Sequence, residues 1–194
     1  LNGQRQPGAV MSKDALRSQL LTVRDGLSPA RRETLNRRIS EYVIDILPQQ
    51  PLRIGSYLAF GSEVDLDTFH HHVFSHAHEL LIPRILSNTT MEMVAYQQET
   101  DLVIGRFGIR TSKQNRVTEL RALDWLIMPC CGFDRRGYRL GMGGGFYDRA
   151  LEHCPPKAPI RIGVAYATQE TQFEPEDWDQ SFDWIVTEDG FIRR

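Results

Sequence analysis

The residues with most chemistry to offer lie between Phe133 and Arg149, in the segment FDRRGYRLGMGGGFYDR. Gly141, Gly143, Gly144 and Gly145 crowd together there, directly before Tyr147, Asp148 and Arg149. Backbone without side chains lets a phosphate approach closely, and exposed N–H groups where a helix begins favour an anion. The cluster does not match G-x-x-x-x-G-K-[ST]. Nor does it complete G-x-G-x-x-G, because Phe146 holds the third glycine position. Glycine content alone would equally describe a loop without a ligand. Arg139, Asp148 and Arg149 beside it favour a bound polyanion, although Asp148 at a helix start also complements the macrodipole. His70, His71, His72, His76 and His78 form a second concentration. A run of three histidines cannot all face one ion, and no H-E-x-x-H occurs, so no metal site is expected there. Serine hydrolysis has no support, since G-x-S-x-G is absent.

The segment resembles the signature of the 5-formyltetrahydrofolate cyclo-ligases, F-D-x-x-G-x-R-L-G-x-G-x-G-x-Y-D. Phe133, Asp134, Gly137, Arg139, Leu140, Gly141, Gly143, Gly145, Tyr147 and Asp148 fill it. Lys13-x-x-Leu16-Arg17 is similar to the family's N-terminal K-x-x-L-R. Tyr57 to Glu63 resembles its folate-binding strand end, and Asp183 to Glu188 its closing D-x-I/V-V-T-E. The likeness spans about Lys13 to Glu188. One departure is Gly144, where many relatives carry a loop lysine.

The resemblance implies an enzyme that uses ATP and Mg²⁺ to close 5-formyltetrahydrofolate into 5,10-methenyltetrahydrofolate, releasing ADP and phosphate. A formamide oxygen leaves poorly, so the γ-phosphoryl group is placed on it before the folate nitrogen at position 10 attacks. Such transfer needs positioning and charge neutralisation above all. By this resemblance ATP is held by Lys13, Arg17, Arg139, Leu140 and Gly141, and by Met142, Gly143, Gly144, Gly145, Phe146 and Tyr147. The folate is held by Tyr57, Leu58, Glu63, Met142, Gly143, Gly145 and Phe146. Arg139, Tyr147 and Arg149 are the expected catalytic residues, and Asp148 and Asp183 the expected Mg²⁺ ligands, hard oxygen donors suited to that ion. Glu63 would accept hydrogen bonds from the pterin N–H groups. Each role has a plainer counterpart: Lys13 as a solvated helix residue, Asp183 as a turn residue, Glu63 as a cap. A nucleotide- or sugar-phosphate-binding regulator, or a kinase with a stable phosphorylated product, are the rival readings.

These residues need elements to position them. Leu16, Leu20, Leu21 and Val23 suit an amphipathic helix over Met11–Leu27, and Ser28-Pro29 opens a second that stops before Pro48. Apolar runs predict strands at Arg53–Phe60, Glu79–Ile82, Met91–Tyr96, Leu123–Pro129, Ile160–Ala165 and Trp184–Thr187. Helices are expected over Asp67–His76 and Phe146–His153, and a helical turn over Thr118–Leu123. This alternation implies an α/β fold: one domain, 11–194, with a mostly parallel, doubly wound sheet and helices on both faces. Ligands would then sit at the carboxyl ends of the strands. Residues 1–10 read as a disordered leader or an expression scar. A formal charge of −2 over 194 residues offers no general attraction to nucleic acid or membrane. Cys130, Cys131 and Cys154 suggest reduced thiols. A cytoplasmic monomer acting on small molecules is the expectation.

Overall fold

The computed structural model describes residues 11–97, 102–155 and 158–194; the expected leader, 1–10, lies outside them. Helix α1 (Lys13–Asp25) begins where Ser12 Oγ accepts the Ala15 N–H at 3.2 Å. Ser28 caps α2 (Pro29–Asp45) in the same way, with Pro29 in the first turn. There follow β1 (Arg53–Gly55), α3 (Asp67–Phe74), β2 (Glu79–Ile85), β3 (Met91–Ala95), β4 (Leu102–Ile104), β5 (Arg110–Ser112) and β6 (Val117–Thr118). Then come β7 (Trp125–Pro129), β8 (Gly132–Phe133), β9 (Arg139–Leu140), α4 (Phe146–Leu151), β10 (Ile160–Val164), β11 (Trp184–Thr187) and β12 (Gly190–Arg193).

The main sheet runs β12-β11-β10-β7-β1-β2-β3-β6. Its centre, β11 to β2, is parallel, while β12, β3 and β6 join antiparallel. Both faces are covered, as near-continuous apolar strands require. On one face α2 and α3 bury Ile39, Val43, Phe69 and Val73 against Ile54, Ile127 and Ile162. On the other, Leu151 of α4 packs with Leu126, Met128, Ile185 and Phe182. A Cβ on Gly163 would overlap the Phe182 ring, so glycine there lets that ring lie flat on the sheet. α1 closes the carboxyl end of the sheet instead, through Leu16 and Leu20 on Leu140 and Phe173.

The mixed α/β fold with a large, mostly parallel sheet is as expected; several boundaries differ. The expected strand Arg53–Phe60 ends at Gly55, because its second half leaves the ladder to form the loop that carries Glu63. β2 continues through Pro83, where it was expected to stop. β1 pairs only as far as Leu81, so the missing proline N–H deprives no neighbour. The β4–β5 and β8–β9 hairpins and strand β12 were not anticipated. Among the described residues no helix is long and apolar enough to cross a membrane.

Candidate active site

The carboxyl ends of the parallel strands release two loops. After β1 the chain turns through Ser56–Leu66, where the Tyr57 hydroxyl donates to Val64 O at 2.6 Å and the Phe60 N–H to Glu63 Oε2 at 3.0 Å. After β7 it makes the β8–β9 hairpin, whose turn is tied by Asp134: its Oδ1 accepts the Arg136 and Tyr138 N–H groups at 2.9 and 3.1 Å. The hairpin delivers the glycine loop, Gly141–Gly145, to the start of α4. Gly143 and Gly145 have φ of 88° and 61°, the left-handed region that glycine enters without cost.

α1 meets this loop directly. Arg17 Nε donates to Gly141 O at 2.7 Å, and Arg17 also pairs with Asp14. One turn earlier, Lys13 Nζ lies 3.0 Å from Asp179 and 3.4 Å from Glu176. Two cations on one helix face therefore stand over backbone that carries no side chains. Arg149 latches the loop from below, donating to Gly144 O at 2.6 Å and Thr89 O at 3.0 Å.

Arg139 is placed differently from expectation. Its guanidinium is buried, donating to Gln180 O at 2.6 Å and to Asp148, and sits 5.5 Å from the centre of the Phe182 ring. It orients Asp148 and is held away from the open face of the loop. Leu140, likewise, is buried beneath the loop as an anchor. Asp148 Oδ1 also accepts the Gln180 N–H at 3.2 Å. Asp183 does not join it. It lies one residue before β11, at the amino end of that strand, where its carboxylate accepts the Arg161 N–H at 2.8 Å. The carboxylate beside Gln180 is Asp179, whose Oδ2 receives Lys13 and the Glu176 N–H. Asp148 and Asp179 each keep one oxygen without a protein partner among the described residues. Asp179 had been hidden in the acidic run Glu174–Asp179, which reads as solvated surface.

Glu63 forms the other half of the cleft. Burial raises its carboxyl above the usual range, opposed by the Phe60 N–H and by the nearby Arg24 guanidinium. Tyr147, half-buried, has its hydroxyl pushed up by burial and then by the Glu63 charge, with Arg139 opposing. Tyr57 is buried and its hydroxyl is occupied, so it braces the Glu63 loop. Leu58 follows it, half-buried. A residue that sequence reading missed stands over the opening: Phe107, at the tip of the β4–β5 hairpin. It has φ 58° and ψ 17°, an outlier for a bulky residue. Its ring centre is 6.2 Å from that of Phe146, and the adjacent Gly108 faces Phe60. Phe60, Phe107 and Met142 are all more than half exposed, so an apolar rim overlooks the Glu63 carboxylate. A cleft of about 900 Å³ lies elsewhere, at the amino ends of β1 and β7 among Arg53, His78, Glu79 and Asp124.

Of the histidines, His72 and His76 stack at 4.0 Å, while His70 is buried against Ser56 at 2.8 Å. Among the described residues no three His, Cys, Asp or Glu gather as metal ligands.

One family model, that of the 5-formyltetrahydrofolate cyclo-ligase family, matches residues 9–188. The chain belongs to that family. It is 29% identical to the 5-formyltetrahydrofolate cyclo-ligase of Haemophilus influenzae over 181 residues, covering 90% of this chain and 97% of the relative. A 5,10-methenyltetrahydrofolate synthetase from Aquifex aeolicus superposes with a TM-score of 0.81 at 30% identity, over 94% of this chain and 93% of that one. The synthetase of Mycoplasma pneumoniae gives 0.75 at 28% identity, over 92% and 99%. Membership gives the signature a structural meaning: Asp134 and Gly137 build its turn, Leu140 roots it, Arg139 aims Asp148, and Thr187-Glu188 closes β11 by accepting the Ala167 N–H at 2.8 Å.

Proposed function

We propose that this cyclo-ligase converts 5-formyltetrahydrofolate and ATP to 5,10-methenyltetrahydrofolate, ADP and phosphate in the cleft between the glycine loop and Glu63. The observation that carries this reading is the division of the cleft into a cationic glycine-lined side and a carboxylate-and-aromatic side. Lys13 and Arg17 neutralise the triphosphate, which lies against Gly141–Gly145 with its γ-phosphoryl group toward Glu63. Glu63 accepts the N–H groups of the pterin edge, and Phe107, Phe146, Phe60 and Met142 cover the ring and exclude water. The formyl oxygen then takes the phosphoryl group, nitrogen 10 attacks the activated carbon, and phosphate departs. Water exclusion matters because it strengthens every charge interaction in the cleft and spares the activated formyl group from hydrolysis.

Arg139 is a positioning residue acting through Asp148, and Arg149 positions the loop. Tyr147, with its hydroxyl kept protonated, is a donor beside Glu63. The donor set fits Mg²⁺: Asp148 and Asp179 each have an oxygen to spare, and two carboxylates with water and phosphate oxygens satisfy that ion. When bound, Mg²⁺ supplies charge neutralisation for the transferring phosphoryl group.

Separate equilibrium binding of the two substrates tests the division. Glu63→Gln should weaken 5-formyltetrahydrofolate about tenfold or more with ATP unchanged, and Lys13→Ala the reverse. A variant that loses both substrates equally would mean that the two sides are not separate sites.

A further inference from the structure

Arg24, in the last turn of α1, is 5% exposed. Among the described residues its guanidinium makes one hydrogen bond, from Nε to Ser62 Oγ at 2.9 Å, and Ser62 in turn donates to Asp25. Among the described residues no carboxylate pairs with it directly, and its two terminal nitrogens have no hydrogen-bond partner. The residue as a whole is buried while its terminal nitrogens keep access to the open side, and a largely buried charge without a direct partner is costly, so such a group suits an accepting ligand.

Its surroundings show where that ligand lies. Ser62, which holds its Nε, directly precedes Glu63, and the guanidinium is close enough to act on Glu63, on the Cys131 thiol and on Tyr166, so it lies on the Glu63 side of the cleft. Arg24 follows Arg17 by seven residues, two helical turns on the same face and about 10 Å along the axis. α1 therefore carries phosphate cations at its start and a third, buried cation at the ring end of the cleft.

The neighbouring carboxylate narrows the chemistry. An anionic group at Arg24 would face the Glu63 charge. A neutral oxygen whose flanking groups are N–H donors satisfies both residues together. A 2-amino-4-oxo heterocycle has that edge: the amine and ring N–H face the carboxylate, and the oxo oxygen faces the guanidinium.

We propose that Arg24 is a specificity-determining residue that donates to the 4-oxo oxygen of the pterin ring, completing the recognition begun by Glu63. This rests on the folate reading of the same cleft. Arg24 thus distinguishes an oxo from an amino group at ring position 4, since an amino group would present donors to donors. Ser62 and Asp25 hold Nε so that the terminal nitrogens keep this aim.

Binding of 5-formyltetrahydrofolate and of its 4-amino-4-deoxy analogue to the full chain, with ATP binding as the control, tests the assignment. In Arg24→Gln, whose amide oxygen can accept from an amino group, the oxo compound should weaken about tenfold and the analogue should not. The ratio of the two affinities therefore moves toward the analogue, with ATP unchanged. Arg24→Lys keeps the charge but loses the planar fork, and should move the ratio in the same direction by less. It also serves if the glutamine variant does not fold. An equal loss of both pterins, or an unmoved ratio in the variant that folds, would overturn the assignment. Failure of the unaltered protein to bind 5-formyltetrahydrofolate would overturn the folate reading, and this one with it.

Discussion

Phe107 offers a case in which stability and function should part company. Its φ of 58° puts a bulky L-residue in the left-handed region, at a cost of about 1–2 kcal/mol. The ring is 58% exposed, so little burial offsets this strain. The contacts it makes are a tilted pairing with Phe146 at 6.2 Å and an Arg106 guanidinium at 5.8 Å, together about 1 kcal/mol. Phe107→Ala removes the ring but keeps the strain, so it should destabilise by about 1 kcal/mol. Phe107→Gly removes the ring and the strain, against about 0.5–1 kcal/mol for glycine's freedom in the unfolded chain. The glycine variant should therefore match the original in stability and exceed the alanine variant by up to about 1 kcal/mol. Both should lose the aromatic cover of the pterin, with the KM for 5-formyltetrahydrofolate rising about tenfold and that for ATP unchanged. Urea unfolding and substrate-separated kinetics measure the two halves. Strain kept without structural return is a mark of a functional position. If alanine and glycine variants bind folate as the original does, the ring does not cover the substrate.

Gly144 is not in the left-handed region, and a Cβ there would meet the Phe146 ring at 3.0 Å. Gly144→Lys should fold with a small ring shift and lower the KM for ATP; a collapse in stability would show that the loop cannot give. Asp148→Asn and Asp179→Asn should each reduce kcat and be partly rescued by excess Mg²⁺. Asp183→Asn should leave the Mg²⁺ dependence untouched, and a raised Mg²⁺ requirement in it would return that residue to the site. Burial lowers the His70 imidazole from 6.5 to about 4, so the unfolded chain binds the proton more readily. Stability should hold above about pH 6.5 and fall between pH 6.5 and 4 by on the order of 3 kcal/mol. His70→Gln should lack that component of the slope; identical pH profiles for the two proteins would refute it.

The parallel core was legible because fully buried strands write continuous apolar runs, such as Leu126–Met128, between turn signals. The edge strands were not, since Val117-Thr118 and Gly190–Arg193 are short and half-solvated, with no period to read. The cleft shows the same divide. Lys13, Arg17, Glu63 and the glycine loop stood out by spacing and resemblance. Arg139 and Asp183 were misplaced because sequence does not say which partner a charge will find: one lies under Asp148, the other on the Arg161 backbone. Phe107, Asp179 and Arg24 reach the cleft only through a hairpin tip, a long connection and a helix face, contacts that no local pattern encodes.

Ring closure and ATP cleavage should be one event in this cleft. Purified protein with 5-formyltetrahydrofolate, ATP and Mg²⁺ should form 5,10-methenyltetrahydrofolate, followed by its absorbance, with one phosphate released for each methenyl group. ATP without folate should be hydrolysed only slowly. Methenyl formation without ATP consumption, or a stable phosphorylated product in its place, would show that the two are not coupled here.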